Sequence, residues 1–212
     1  MMFKEEFFLF DLDGTLVNTT NVVETAWSEW CNRVNLNPAE VIACCHGVRG
    51  QDIIPRFLPN ADLEAELSWL DARELELSTL CTEITGAKAL LLALPRQNWA
   101  IVTSSSKQLA LKKLQVCGLP IPELLVTAEQ CHKGKPDPEP YLIAIDKLNT
   151  RAAQCIVFED AAAGITSAVQ AGCQVIRVGS PLIKDEHTVS QIKDYSGVFF
   201  NGLLNIKGND KV

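Results

Sequence analysis

The sequence has no apolar stretch that could cross a membrane. It contains no uninterrupted apolar window of about 18 residues, the length that a membrane-spanning helix requires. Acidic residues at positions 5 and 6, followed closely by two aspartates, also argue against a secretory signal peptide. We therefore expect a cytoplasmic protein with no membrane partner.

The sequence also lacks an excess of positive charge. It has 19 lysine and arginine residues against 26 aspartate and glutamate residues, and its net charge is −7. Such a chain has no overall attraction for nucleic acid or for acidic membrane surfaces. A phosphorylated ligand would have to be bound by local cations and a metal ion, so we expect a small-molecule partner and no nucleic acid.

The eight cysteines form no disulfide or metal-binding pattern. None is spaced as CxxC, and Cys44 and Cys45 are adjacent, which is a poor geometry for a structural disulfide. Without a secretion signal, we interpret the cysteines as small core residues in a reducing compartment.

Short apolar runs separated by helical patterns predict an α/β fold. Each run is too short for a surface helix and is typical of a strand buried on both faces of a parallel sheet. Between about residues 20 and 82 there is no strand pattern, and the apolar residues recur at helical spacing. We therefore predict a parallel sheet that is interrupted, after its first strand, by an all-helical unit. The predicted strands are Phe7–Phe10, Trp99–Val102, Leu124–Val126, Cys155–Phe158, Val175–Val178 and a weaker one at Gly197–Phe200.

Polar groups that bind phosphate or metal follow the first four of these strands. The carboxyl ends of parallel strands converge on one edge of the sheet, where open α/β folds bind their ligands. Carboxylates held close together raise one another's pKa, and a divalent cation offsets that repulsion. For the first pair alone, a turn at Asp13-Gly14 and a helix cap at Asp11 are the alternative explanation. The candidate residues are Asp11, Asp13, Thr103, Ser104, Lys135, Glu159 and Asp160.

The segments that carry these residues resemble the four motifs of the haloacid dehalogenase superfamily of phosphohydrolases. They read DLDGTL, IVTSS, GKPDPEPY and VFEDAAAGI, in the order expected for that superfamily. The helical insertion after the first segment resembles the superfamily's C1-type cap. The resemblance implies a three-layer Rossmann-like parallel-sheet core at residues 1–17 and 83–212, with an inserted all-helical cap domain at residues 18–82.

The resemblance also implies a role for each acidic motif residue. Asp11 matches the nucleophile that forms an aspartyl-phosphate, and Asp13 matches the acid and base that protonates the leaving alcohol and then activates water. Asp11, the main-chain carbonyl of Asp13, and Asp160 match the ligands of a Mg²⁺ ion. Glu159 is expected to be a further ligand or an acid behind the ligands.

The remaining motif residues are expected to bind the phosphoryl group. Thr103 and the main-chain amide of Ser104 match groups that donate hydrogen bonds to phosphoryl oxygens. Lys135 matches the cation that stabilises the nucleophile and the transferring group.

Three features favour a phosphatase within the superfamily. Asp13 argues against a dehalogenase, whose halide leaving group needs no acid. No lysine lies between residues 16 and 83, which argues against a phosphonatase, because that reaction uses a cap lysine. The related β-phosphoglucomutases carry a histidine 12 residues after the nucleophile, where this chain has Val23. A phosphosugar mutase is the alternative, and a non-catalytic module that binds a phosphometabolite is a more distant one.

The cap loop HGVRG, at residues 46–50, resembles that of sugar- and polyol-phosphate phosphatases. Gly47 permits close approach of the backbone, while His46 and Arg49 are expected to bind substrate hydroxyls or a distal charge. A solvated loop is the alternative explanation. Asn18 stands where family members often have an acidic residue, which leaves the hinge contacts open. We expect a monomeric enzyme acting on a sugar or polyol phosphate.

Overall fold

The computed structural model describes residues 1–4, 6–182 and 186–207, so residues 5, 183–185 and 208–212 of the predicted core lie outside it. The strands are β1 (Met2–Phe3), β2 (Phe7–Phe10), β3 (Val17–Asn18), β4 (Thr82–Glu83), β5 (Trp99–Val102), β6 (Leu124–Val126), β7 (Cys155–Glu159), β8 (Gln174–Val178), β9 (Ser190–Ile192), β10 (Val198–Phe200) and β11 (Leu204–Ile206). The helices are α1 (Thr20–Arg33), α2 (Pro38–Cys45), α3 (Gly50–Phe57), α4 (Leu63–Leu77), α5 (Ala87–Ala93), α6 (Lys107–Val116), α7 (Glu139–Lys147) and α8 (Ala162–Gln170).

Six strands form one parallel sheet in the order β6-β5-β2-β7-β8-β9. Strand β2 pairs with β5 on one side and with β7 on the other, so the first long strand of the chain lies in the middle. The strand order reverses at β2. Open α/β sheets bind ligands at such a point, outside the carboxyl ends of the strands.

The central strand is buried because its side chains alternate between two apolar layers. Phe8 and Phe10 belong to a cluster with residues of α5 and α6, whereas Leu9 belongs to a cluster with residues of α7 and α8. Phe10 stacks on Phe158 of the neighbouring β7, with ring centroids 4.8 Å apart. This helix–sheet–helix layering confirms the predicted three-layer α/β core.

Two strands near the C-terminal end differ from the expectation. The predicted weak strand at Gly197–Phe200 exists as β10, but it pairs antiparallel with β11 in a separate three-stranded sheet that also contains β1. The outermost strand of the parallel sheet next to β8 is instead β9. Its segment Ser190–Ile192 has no apolar run, so only its pairing with β8 identifies it as a strand.

Helices α1 to α4 form a helical unit between β3 and β4. Its own apolar cluster includes Trp27 and Trp30, whose rings meet edge to face with centroids 5.4 Å apart. Strands β3 and β4 pair antiparallel, with Val17 opposite Glu83, and this two-stranded ribbon joins the unit to the core. The all-helical cap is therefore present as predicted, and the domain limits at 17/18 and 82/83, which fall within the ribbon, stay a prediction.

The cysteines are mostly core residues, as the sequence indicates. All eight are free, and Cys44 and Cys117 are partly exposed while the other six are buried. No helix in the described ranges is both long and apolar enough to cross a membrane.

Candidate active site

Lys135 joins three of the strand ends at the edge of the sheet. It is fully buried, and its ammonium group donates to Asp11 Oδ1 at 2.6 Å, to Glu159 Oε1 at 2.6 Å and to the carbonyl oxygen of Val102 at 3.1 Å. These three acceptors stand at the ends of β2, β7 and β5. One cation therefore holds the carboxyl ends of three adjacent strands together.

Glu159 is committed to contacts inside the protein. Besides the bond from Lys135, its Oε1 accepts a hydrogen bond from the Tyr141 hydroxyl at 3.1 Å, and its Oε2 accepts one from the Ala161 amide at 3.0 Å. Lys135 Nζ also lies 5.1 Å from the centre of the Tyr141 ring. The Glu159 carboxylate thus holds Lys135 together with Asp11.

Asp11, Glu159 and Asp160 place three carboxylate oxygens within 4.8 Å of one another. Burial, reinforced by the neighbouring carboxylates, raises the pKa of Asp11 well above its usual value, although Lys135 acts in the opposite direction. Burial and the charge of Glu159 raise the pKa of Asp160 to about 7. A cluster of oxygen donors that repel one another in this way fits a divalent metal ion, which would relieve the repulsion.

Gly14 makes the approach of Asp160 possible. Its φ is +82°, and a Cβ atom at this position would lie 2.1 Å from Asp160 Oδ2. Any side chain here would therefore displace the carboxylate. The next residue, Thr15, donates its hydroxyl to Asp160 Oδ1 at 3.1 Å, so the turn after β2 both makes room for Asp160 and orients it.

Asp13 is bonded to a different set of groups. Its Oδ1 accepts from Lys113 Nζ at 2.6 Å and its Oδ2 accepts from the Ser105 hydroxyl at 2.7 Å. Burial raises the pKa of Asp13, but the Lys113 charge and these hydrogen bonds outweigh it and lower the pKa below its usual value. The side chain does not belong to the three-carboxylate cluster. A metal contact through its main-chain carbonyl stays a prediction.

The sequence-based reasoning missed Lys113 and Ser105. Lys113 is fully buried and lies on the face of α6 that also buries Leu109, Ala110 and Leu114. A lysine on the apolar face of a predicted helix was the available signal.

Thr103 and Ser104 follow β5 and border the same space as Asp11. The Thr103 hydroxyl accepts a hydrogen bond from the Ser105 amide at 3.0 Å, which stabilises the turn after the strand. The Ser104 hydroxyl donates to the carbonyl oxygen of Gly47 at 2.8 Å. Ser104 therefore contacts the cap directly, while its predicted amide contact with phosphate stays a prediction.

Arg49 makes contacts within the protein that the sequence did not predict, and its substrate-binding role stays a prediction. This residue is buried, and its guanidinium donates to both carboxylate oxygens of Asp52 and to the carbonyl oxygens of Ala128, Cys131 and His132. A guanidinium has five N–H donors, and these five contacts use all of them. Arg49 thus joins the cap to the core loop that leads to Lys135, and no donor is left for a substrate hydroxyl in this arrangement.

All three predicted residues of the cap loop, His46, Gly47 and Arg49, border the cavity. His46 is exposed, and its Nε2 lies 3.2 Å from Glu24 Oε1. Gly47 has a φ of +74°, and a Cβ atom there would lie 2.8 Å from the Cβ of Ala161. Because Gly47 has no side chain, the cap backbone can lie close to Ala161 of the core as well as to the cavity.

A cavity of about 240 Å³ lies between the edge of the sheet and the cap. The core contributes Asp11, Asp13, Thr103, Ser104 and Asp160 to its wall, whereas Lys135 and Glu159 lie behind Asp11. The cap also contributes polar side chains that the sequence did not single out. They include Gln51, Asp71 and Glu74.

Comparisons with known proteins agree with this architecture. The family model for haloacid dehalogenase-like hydrolases matches residues 8–178. Hexitol phosphatase A of Escherichia coli (strain K12) is 43% identical over 179 residues, which cover 82% of this chain and 83% of that protein. The 2-deoxyglucose-6-phosphate phosphatase 1 of Saccharomyces cerevisiae is 33% identical, with coverage of 84% and 81%.

Among solved structures, CbbY from Rhodobacter sphaeroides in complex with phosphate has the same fold. Its TM-score is 0.79 at 20% identity, with 91% of this chain and 95% of that chain covered. The parallel sheet, the inserted helical cap and the match over residues 8–178 lead to one assignment. The chain belongs to the haloacid dehalogenase-like hydrolase family.

Proposed function

We propose that this chain is a Mg²⁺-dependent phosphatase that hydrolyses sugar or polyol phosphates through an aspartyl-phosphate on Asp11. The proposal is based on one observation. Asp11, Asp160 and Lys135 lie together at the carboxyl edge of the sheet. The 43% identity with hexitol phosphatase A supports the substrate class. We further propose that the enzyme is a cytoplasmic monomer, and sedimentation of the purified chain tests the oligomeric state.

Asp11 is the nucleophile because its carboxylate lies at the wall of the cavity and is held in place by Lys135. It attacks phosphorus, and the bond from phosphorus to the leaving oxygen breaks. Lys135 offsets the negative charge that would otherwise repel the phosphoryl oxygens. A bound Mg²⁺ ion would supply further neutralisation of these charges, with Asp11, Asp160 and the Asp13 carbonyl as its ligands.

Asp13 acts in its protonated form to give the leaving alkoxide a proton, and the resulting carboxylate takes a proton back from the water that hydrolyses the aspartyl-phosphate. Thr103 and the amide of Ser104 bind phosphoryl oxygens beside Asp11. We assign Glu159 to holding Lys135, because both of its oxygens already accept hydrogen bonds from protein donors.

The polar cap side chains support a substrate rich in hydroxyl groups. Gln51, Asp71 and His46 border the cavity opposite the phosphate-binding edge, and such groups hydrogen-bond sugar hydroxyls. Val23, at the position of the mutase histidine, also borders the cavity and cannot transfer a proton. This favours hydrolysis over the mutase alternative.

A screen of phosphate release tests the proposal. We expect Mg²⁺-dependent release from hexitol, hexose or glycerol phosphates that exceeds release from nucleoside monophosphates. Conversion of β-glucose 1-phosphate to glucose 6-phosphate without free phosphate would establish the mutase instead. No release from any compound, including p-nitrophenyl phosphate, would support the non-catalytic alternative.

Mg²⁺ is expected to stabilise the folded chain, because it relieves repulsion among Asp11, Glu159 and Asp160. At about 100 times its dissociation constant a ligand raises the free energy of unfolding by about 2.7 kcal/mol, so the melting temperature should rise by several degrees. Asp160→Asn should abolish this rise and should melt higher than the wild type in EDTA.

The control for this measurement is Asp146→Asn, which changes an exposed aspartate of α7 in the same way. It should keep the full rise with Mg²⁺. An equal rise in Asp160→Asn and in the wild type would contradict the proposed ligand set.

The structure predicts that Arg49→Ala affects all substrates alike. Hydrogen bonds to charged groups contribute about 1.5–3 kcal/mol, so losing the link to the core should lower kcat/KM by about 10- to 100-fold. The loss should be equal for a hexitol phosphate and for p-nitrophenyl phosphate, because both need the cap closed. Arg56→Ala, on helix α3 that begins directly after Arg49, is the matched control. A rise of KM for the hexitol phosphate alone would restore the substrate-binding role first predicted for Arg49.

A further inference from the structure

Lys113 connects the proposed acid and base to the cap. Its side chain is fully buried, and its ammonium donates to Asp13 Oδ1 at 2.6 Å, to Ser105 Oγ at 3.1 Å and to Glu74 Oε2 at 3.2 Å. An ammonium has three N–H donors, and each finds one acceptor here. The three acceptors belong to the turn after β2, the turn after β5 and the cap helix α4.

Stability alone is a weak explanation for this arrangement. Burying a lysine and two carboxylates is costly, and apolar side chains of similar size often stabilise a protein as well or better. Lys113 also lies among apolar core residues, where leucine or methionine would pack. What an apolar residue could not do is hold the carboxylate of Asp13.

The contacts fix both oxygens of that carboxylate. Ser105 donates its hydroxyl to Asp13 Oδ2 at 2.7 Å and at the same time accepts from Lys113, which itself donates to Oδ1. Asp13, Ser105 and Lys113 thus form a closed ring of hydrogen bonds. A carboxylate held at both oxygens keeps one orientation toward the cavity that it borders.

The third contact makes this orientation depend on the cap. Glu74 is buried on α4, and α4 packs against α6, the helix that carries Lys113. The ammonium is therefore held from the core side by Asp13 and Ser105 and from the cap side by Glu74. Only while α4 lies against α6 do all three acceptors surround Lys113.

We propose that Lys113 is a positioning residue that holds Asp13 in its reactive orientation, and that Glu74 makes this positioning conditional on the packed cap. The inference rests on the proposed phosphatase function. The ammonium of Lys113 is held by Asp13, Ser105 and Glu74, so Lys113 acts through Asp13.

The test separates the step that needs Asp13 as an acid from the step that does not. Nitrophenolate leaves without a proton, so the pre-steady-state burst from p-nitrophenyl phosphate reports attack by Asp11 alone. Turnover of an alkyl phosphate needs the proton from Asp13. General acid–base catalysis contributes about 100- to 10,000-fold. We therefore expect Lys113→Met to lower kcat for the best alkyl phosphate by about 100-fold or more, with little change in KM or in the burst rate.

Two further variants keep the test decisive. Lys113→Arg keeps the buried charge but moves the donors, and it should fold and show the same selective loss even if Lys113→Met does not fold. Glu74→Gln should lower alkyl phosphate turnover by a smaller factor and should also leave the burst rate unchanged. The glutamine oxygen can still accept a hydrogen bond from Lys113, but the negative charge of Glu74 is removed. Lys112→Met, one residue away on α6, is the control and should behave as the wild type.

Equal losses of burst rate and alkyl turnover in Lys113→Arg, or no loss in either Lys113 variant, would overturn the inference. A wild type that hydrolyses no phosphate ester would instead overturn the proposed function. The two failures are therefore distinguishable.

Discussion

Asp11→Asn is expected to lose phosphatase activity by about a thousand-fold or more while remaining folded, because removing a covalent nucleophile removes the step that depends on it. The amide cannot form the acyl-phosphate. At the same time it removes a negative charge that burial and the neighbouring carboxylates Glu159 and Asp160 disfavour. In EDTA the variant should therefore melt at or above the temperature of the wild type.

Phosphate release and thermal unfolding, measured on the same preparation, check this result. Asp146→Asn makes the same chemical change at an exposed position and should alter neither. An inactive Asp11→Asn that also melts well below the wild type would contradict this expectation. It would mean that the ion pair between Asp11 and Lys135 stabilises the fold by more than the repulsion from Glu159 and Asp160 destabilises it. Retained activity would remove Asp11 as the nucleophile.

Lys135→Met is expected to destroy both activity and stability. Breaking a buried ion pair from one side costs about 3–5 kcal/mol, because the remaining charge is left without a partner. Here two carboxylates, Asp11 and Glu159, would lose the ammonium that lies 2.6 Å from each. Denaturant unfolding measures the loss of free energy, and p-nitrophenyl phosphate hydrolysis measures the loss of activity.

Two comparisons make the result specific. Lys133→Met, in the same loop, changes a side chain that is 74% exposed and should alter stability by no more than about 0.5 kcal/mol. Adding Glu159→Gln to Lys135→Met should restore part of the stability without restoring activity, because one unpaired charge is then removed. A Lys135→Met variant as stable as the wild type would contradict the description of Lys135 as the cation that joins three strand ends.

The residues at the strand ends were predictable from sequence for a physical reason. Asp11, Thr103 and Glu159 directly follow apolar runs, and the ends of parallel strands meet at one edge whatever the details of packing. Lys135 is in a loop, and the resemblance to known motifs was needed to bring it to the same edge. In the structure it bonds to two of the three strand-end carboxylates directly.

Other contacts could not be predicted because they join segments that are distant in sequence. Lys113 and Glu74 are 39 residues apart, and each is ordinary on a surface helix. Arg49 was expected to face a substrate, yet it donates to core carbonyls 79 to 83 residues further along the chain. Strand β9 has no apolar run, and it is a strand because it pairs with β8.

The sequence by itself determined that two carboxylates stand at the carboxyl end of β2. DLDGTL, at the end of a buried strand, places two aspartates at the same turn by short-range order, and its resemblance to the family's first motif predicts which of them is the nucleophile. The tertiary structure alone decided what surrounds each of them. Asp11 faces Lys135 and the carboxylate cluster, whereas Asp13 faces Lys113, Ser105 and, through Lys113, the cap. That difference arises from which helices pack together. Burial raises the pKa of both aspartates, but Lys113 and the hydrogen bonds to Asp13 outweigh burial there, whereas Lys135 does not outweigh burial and the neighbouring carboxylates at Asp11.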